Sequence, residues 1–127
     1  MRKLLDDVAA FHLACDVPVV DKPTAPPRDR AGLRADLILE EAVETLNAIA
    51  DRNIASIADG LADLIYVCVG TALEYGIPLD RVWDEVQRSN MSKVDSATGK
   101  VRKRADGKVL KPEGWTPPDI AGVLRNA

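Results

Sequence analysis

Aromatic residues are few in this chain: two tryptophans, two tyrosines and one phenylalanine among 127 residues, 4% in all. That argues against a sheet core rich in aromatic and β-branched side chains and leaves the interior to alanine, leucine and valine, which favours helix packed on helix. Cysteine is scarce as well. Cys15 and Cys68 fall on different expected helices without metal-ligand spacing, so both read as reduced, small apolar residues of a cytoplasmic protein. There is one histidine, His12, and there are no internal repeats or low-complexity segments. No signal peptide is expected, because Met1-Arg2-Lys3 leads straight into Asp6-Asp7, and the apolar run Gly60 to Leu73 is too short and interrupted to predict a membrane span.

Charge of either sign is not in large excess. The formal net of −3 is too small to argue for a nucleic-acid polymer as partner, but its distribution is uneven. Between Met91 and Lys111 lie Lys93, Lys100, Arg102, Lys103, Arg104, Lys108 and Lys111 against Asp95 and Asp106, a net of +5, so the remainder carries −8. An acidic helical body with a basic tail suits a ligand that combines metal and phosphate. The length predicts one domain over residues 1–127.

Hydrophobic periodicity predicts a first helix from about Arg2 to Cys15, with Leu5, Val8, Ala9 and His12 on one face. Four prolines between Val17 and Arg30 make that segment a connecting loop. A second helix is expected from about Ala31 to Arg52. Its apolar face would hold Ala35, Ile38, Leu39, Ala42, Val43, Leu46, Ile49 and Ala50, with Glu40, Glu41 and Glu44 on an arc beside it. Asn53 is a candidate N-cap for a third helix, Ile54 to Tyr75, ended by Gly76 and Pro78. A fourth runs from Asp80 to about Ser89. Lys93 to Lys111 reads as a loose hairpin or ordered loop, and Pro117-Pro118-Asp119 introduces a short terminal helix, Ile120 to Arg125. The fold class is therefore all-α, a four-helix-bundle core with an irregular tail.

Asp63 is the only charge between Gly60 and Leu73, in a helix hydrophobic enough to predict burial all round. A buried carboxylate needs a cation, strong hydrogen bonds or a metal beside it. The short Arg52-Asn53 connection makes the second and third helices antiparallel neighbours and brings Glu40, Glu41 and Glu44 opposite Asp63 or Asp59. Acidic groups so collected predict a hard divalent ion, Mg²⁺ or Mn²⁺. An almost wholly apolar third helix in so small a chain also predicts a homo-oligomer, a dimer or a dimer of dimers.

Glu40-Glu41-x-x-Glu44, then Asp59-Gly60-Leu61-Ala62-Asp63-Leu64-Ile65-Tyr66-Val67, then Ser89-Asn90-Met91-Ser92-Lys93 resemble the all-α nucleoside triphosphate pyrophosphohydrolases: the MazG-like enzymes, dimeric dUTPases and phosphoribosyl-ATP pyrophosphohydrolase. The tail Asp106 to Lys111 with Trp115, Pro117, Pro118, Asp119 and Ile120 is similar to the phosphoribosyl-ATP pyrophosphohydrolase-like branch. The resemblance implies Mg²⁺-dependent hydrolysis of a nucleotide between its α- and β-phosphates. Glu40, Glu41, Glu44, Asp59 and Asp63 would be metal ligands, with Glu41 or Glu40 as the base. Asn90 and Lys93 would contact phosphate or sugar, with Lys108 and Lys111 behind them, and His12 with Phe11 could line a base pocket. The family's second motif commonly reads Glu-x-x-Asp, and here Gly60 stands where that glutamate would be. Phosphoribosyl-ATP hydrolysis in histidine synthesis and a non-catalytic nucleotide- or metal-binding homologue are the alternatives.

Overall fold

Five helices and one small hairpin make up the chain in a computed structural model that describes residues 1–127. They fall into two compact units, Met1–Leu79 with Ala127, and Asp80–Asn126. The first holds α1 (Arg2–Ala14), α2 (Arg28–Ala50) and α3 (Ile54–Tyr75). The start and stop of α3 follow from its caps. The Asn53 side chain accepts a hydrogen bond from the Ser56 amide at 3.1 Å, and Gly76 closes the helix in the left-handed region at φ 65°. Glycine is required there twice over, because a Cβ on Gly76 would also lie 2.0 Å from the Lys22 carbonyl oxygen. That closeness reflects the job of the proline-rich loop. Val20 and Thr24 donate their amides to the carbonyls of Leu73 and Tyr75, so the loop satisfies the last turn of α3.

Helix α2 begins at Arg28, three residues before Ala31, because Pro27 occupies the N-cap position and its carbonyl accepts from Ala31. The packed face of α2 also differs from the apolar face expected. The residues it buries are Arg34, Thr45 and Ala48, whereas Leu39, Val43, Leu46 and Ile49 are exposed. Periodicity marks the apolar stripe correctly, but nothing in the unit covers it. The core between α1 and α3 is small: Leu5, Val8 and Val69, with Met1, Leu73 and Leu79 packed around them.

Helix α3 is not buried on all sides. Its buried residues are Gly60, Gly70 and Glu74 on the side of α2 and Val69 and Ala72 on the opposite side, while Ile54, Leu61, Ile65 and Tyr66 are exposed. At 22 residues it is long and apolar enough to cross a membrane by length and composition, beyond the shorter run judged from sequence. It is also the helix on which both α1 and α2 pack, a role that selects the same composition.

The second unit holds most of α4 (Leu79–Met91), strands β1 (Val94–Asp95) and β2 (Lys100–Val101), and α5 (Ile120–Arg125). The strands pair antiparallel, Val94 with Val101 and Asp95 with Lys100, and a further bridge joins Lys103 to Val109. Asp119 caps α5 by accepting from the Gly122 amide at 3.0 Å, so Pro117 and Pro118 precede the cap instead of sitting in the first turn. The tail is fastened to α4. Arg88 reaches Thr116 Oγ1 at 3.0 Å and the Pro117 carbonyl at 3.3 Å, Ser89 donates to the Thr116 carbonyl at 2.8 Å, and Glu85 accepts from the Asp119 amide at 2.9 Å.

Hydrogen bonding from Arg88, with help from the Asp119 amide, holds the Glu85 carboxyl down from 4.5 to about 2. A depressed carboxylate stabilises the fold fully above its unfolded value, and the contribution is lost as pH falls through the folded one. Amide signals of Thr116 to Asp119 are therefore expected to lose protection from exchange between about pH 4.5 and 2, and Glu85→Gln is expected to remove that transition. A pH-independent protection pattern would contradict the tie.

Candidate functional site

Helices α2 and α3 meet along a seam in which partners run in opposite directions, Arg30 and Arg34 against Glu74 and Thr71 at one end, Thr45 against Gly60 at the other. Between these lie the acidic residues. Burial raises the Glu41 carboxyl above the ordinary glutamate range, and the charges of Glu44, Asp63 and Glu40, in that order, raise it further. Three of the expected carboxylates are thus within electrostatic reach of a fourth, Glu41. Asp59 is exposed and is not among the groups that act on Glu41.

The cluster is built differently from the sequence expectation. Asp63 is exposed, not enclosed in a core, although it lies on the same side of α3 as Gly70. The shielded member is Glu41, whose Oε2 is out of contact with solvent and has no hydrogen-bond partner. Such an atom is costly to leave unpaired and is suited to a cation. No three acidic, histidine or cysteine side chains converge closely enough here to enclose an ion. The donor set is nonetheless all carboxylate oxygen, which fits Mg²⁺ or Mn²⁺ and not a softer metal. Glu40, Glu44 and Asp63 are exposed, and they are the side chains that would have to turn toward one another to hold an ion beside Glu41.

Gly60 has a structural explanation. A Cβ there would stand 2.7 Å from Thr45 Oγ1 and 3.1 Å from the Thr45 Cα, so the helices touch at this point and no side chain fits. Thr45 in turn donates to the Glu41 carbonyl at 2.7 Å. The glutamate expected of the second motif is therefore replaced by a close approach of the two backbones.

His12 is buried at 4% exposure, with Nδ1 3.2 Å from the Pro18 carbonyl oxygen. It lines a cavity of about 260 Å³ with Phe11, Leu37, Tyr66, Val67 and the two arginines. Phe11 and Tyr66 meet edge to face, with ring centres 5.9 Å apart. Leu37 lies one turn from Glu41 on α2, and Val67 one turn from Asp63 on α3, so the cavity is next along the groove from the carboxylates.

The remaining candidates belong to the second unit. Asn90 is inside the last turn of α4, not beyond it, and its Oδ1 accepts from Lys93 Nζ at 3.1 Å, which brings those two together. Lys108 is exposed, its amide bonded to Asp106, and Lys111 Nζ lies 4.5 Å from the centre of the Trp115 ring.

The buried ion-pair network was not foreseen. Glu74, 1% exposed, receives Arg30 Nε at 2.8 Å on Oε1, and Arg34 Nη1 lies 3.0 Å from its Oε2. The available signal was Glu74 itself, a charge directly after the apolar run of α3. Its partners lie 40 and 44 residues earlier, beyond what periodicity reports.

The sequence profile of the phosphoribosyl-ATP pyrophosphohydrolase family matches residues 8–90, from the middle of α1 to the end of α4. The chain belongs to that family. A crystal structure from Exiguobacterium sp. 255-15, provisionally described as an NTP pyrophosphohydrolase, is similar at 28% identity with a TM-score of 0.53, over 97% of this chain and 94% of that one. An uncharacterised protein of Acanthamoeba polyphaga mimivirus is 42% identical over 48 residues, 38% of this chain and 19% of the viral protein. The chain thus spans well under two thirds of that relative's length. The family match includes all four clustered carboxylates together with His12, Arg34 and Glu74.

Proposed function

We propose that this chain is a Mg²⁺-dependent nucleotide pyrophosphohydrolase that cleaves a nucleoside triphosphate between its α- and β-phosphates, releasing the monophosphate and pyrophosphate. The observation that carries the reading is the crowding of Glu40, Glu44 and Asp63 about Glu41, in a member of a pyrophosphohydrolase family. Glu40, Glu44 and Asp63 would hold Mg²⁺, or Mn²⁺ in its place. The bound ion would neutralise phosphate charge and lower the pKa of a water. Glu41, whose carboxyl already favours a proton more than an ordinary glutamate, is the group to accept one from the attacking water. Asn90 and Lys93 would hold phosphate or sugar, with Lys108 and Lys111 as further phosphate contacts.

The cavity bounded by Phe11 and Tyr66 is of a size for a base and not for a whole nucleotide, and it lies next to the carboxylates. Its polar groups are already engaged: His12 with Pro18, Arg30 with Glu74, and Arg34 with Glu74, Thr71 and Val67. A pocket that offers ring stacking and few unpaired donors discriminates bases weakly, whereas hydrogen-bonded recognition rejects wrong substrates by about 10⁴ to 10⁵. Across dATP, dCTP, dUTP, ATP, oxidised purine triphosphates and phosphoribosyl-ATP, kcat/KM with Mg²⁺ is expected to vary by less than about a hundredfold. Pyrophosphate detection reads this directly. One substrate preferred by several orders of magnitude would sink the base-tolerant reading, and metal binding without turnover of any of them would make the chain a non-catalytic homologue.

The exposed stripe of Leu39, Val43, Leu46 and Ile49 on α2 and the uncovered side of α3 support a homo-oligomer, a dimer or a dimer of dimers, with the active sites shared or flanked by a second copy.

A further inference from the structure

Arg34 is 5% exposed and spends its whole guanidinium on α3: Nη2 donates to the Val67 carbonyl at 2.8 Å, Nε to Thr71 Oγ1 at 3.1 Å, and Nη1 lies 3.0 Å from Glu74 Oε2. Thr71 Oγ1 donates to the same Val67 carbonyl at 2.7 Å. The backbone makes room for this fork, since a Cβ on Gly70 would lie 2.6 Å from Arg34 Nη2 and 2.7 Å from His12 Nε2. A buried ion pair is a poor source of net stability and is best attested as a device that fixes register.

Arg34 lies seven residues before Glu41 on α2, and Gly70 seven after Asp63 on α3. The same two-turn step therefore separates the fork from the carboxylates on both helices, on one face of each. A slip of one residue would shift Glu41 by about 1.5 Å along the seam and about 100° around it, taking its shielded oxygen away from Asp63. At the other end the Gly60 contact with Thr45 resists inward movement but offers no directional bond.

We propose that Arg34 is a positioning residue for the carboxylate cluster: its three-way fork on Val67, Thr71 and Glu74 locks the α2–α3 register in which Glu41 faces Asp63. The metal part of this inference rests on the function proposed above, and the register part does not. The test uses Arg34→Lys, which keeps the charge beside Glu74 but has no planar fork. In the metal-free protein, an NMR contact between the Thr45 methyl and the Gly60 α-protons reports register directly. It is expected as a single strong signal in the natural chain and as a weakened or doubled one in the variant. Titration with Mn²⁺ alone, followed by electron paramagnetic resonance, is expected to show affinity about tenfold to a hundredfold weaker in the variant. Raising Mg²⁺ should then recover turnover in Arg34→Lys, which a variant with a merely loosened fold would not do. An unchanged Thr45–Gly60 contact with Mn²⁺ affinity within about twofold overturns the proposal. Absence of Mn²⁺ binding in the natural chain refutes the proposed function and leaves the register to be decided by the NMR contact. Should Arg34→Lys fail to fold, Thr71→Val removes one acceptor of the fork, keeps the ion pair, and is held to the same outcomes.

Discussion

Asp63→Asn is expected to lower Mg²⁺-dependent pyrophosphate release by about a hundredfold or more, and Glu41→Gln by a comparable factor within the range of about 10² to 10⁴ for loss of a general base. The two substitutions separate in the metal-free protein. The Glu41 carboxyl is raised in the fold, so the repulsion it suffers is absent below its unfolded value and reaches its full extent as pH rises through the folded one. Removing the charge at Glu41 removes that penalty. Glu41→Gln should therefore melt at a higher temperature than the natural chain at neutral pH without metal, while being inactive with it. Added Mg²⁺ should raise the melting point of the natural chain and not of Asp63→Asn. If Asp63→Asn retains full turnover, Asp63 is not a metal ligand and the cluster has another purpose.

Glu74→Ala carries the largest expected cost in stability, about 3 to 5 kcal/mol, because it leaves Arg34 buried and unpaired. Against a total of about 5 to 15 kcal/mol for a domain, the variant should be largely unfolded near physiological temperature. Urea denaturation followed by circular dichroism measures this. A double variant, Glu74→Leu with Arg34→Met, should recover much of the loss, since it leaves no fully buried charge unpaired; Arg30, the third member of the network, has a side chain 29% exposed and can turn to water. A loss below about 1 kcal/mol in Glu74→Ala would mean that water reaches Arg34 and that the seam is less dry than its 5% exposure indicates.

Local signals were the legible ones. Asn53 and Gly76 bound α3 to the residue, as their cap chemistry predicts, and the turn residues of the tail mark a hairpin that the structure contains. The face of α2 was misread for a physical reason. Its apolar stripe records every surface that shuns water in the working protein, including those that nothing in the unit covers, whereas the seam with α3 is chosen by shape, through Thr45 against Gly60 and Arg34 against Gly70. For the same reason Asp63 was expected in a core and lies exposed, and the shielded oxygen belongs to Glu41. Gly60 looks like a lost ligand when the motif is read alone, and becomes a helix contact once Thr45 is placed opposite it. Arg30, Arg34 and Glu74 were illegible, since no pattern within one helix announces a partner 40 residues away.

In the proposed homo-oligomer the uncovered stripe on α2 would tie folding to abundance. If a second copy covers Leu39, Val43, Leu46 and Ile49, folding obeys mass action, and the melting midpoint should climb with protein concentration and fall on dilution. Assays run at nanomolar enzyme would then sample a population partly dissociated, and specific activity would rise with dose until the assembled form dominates.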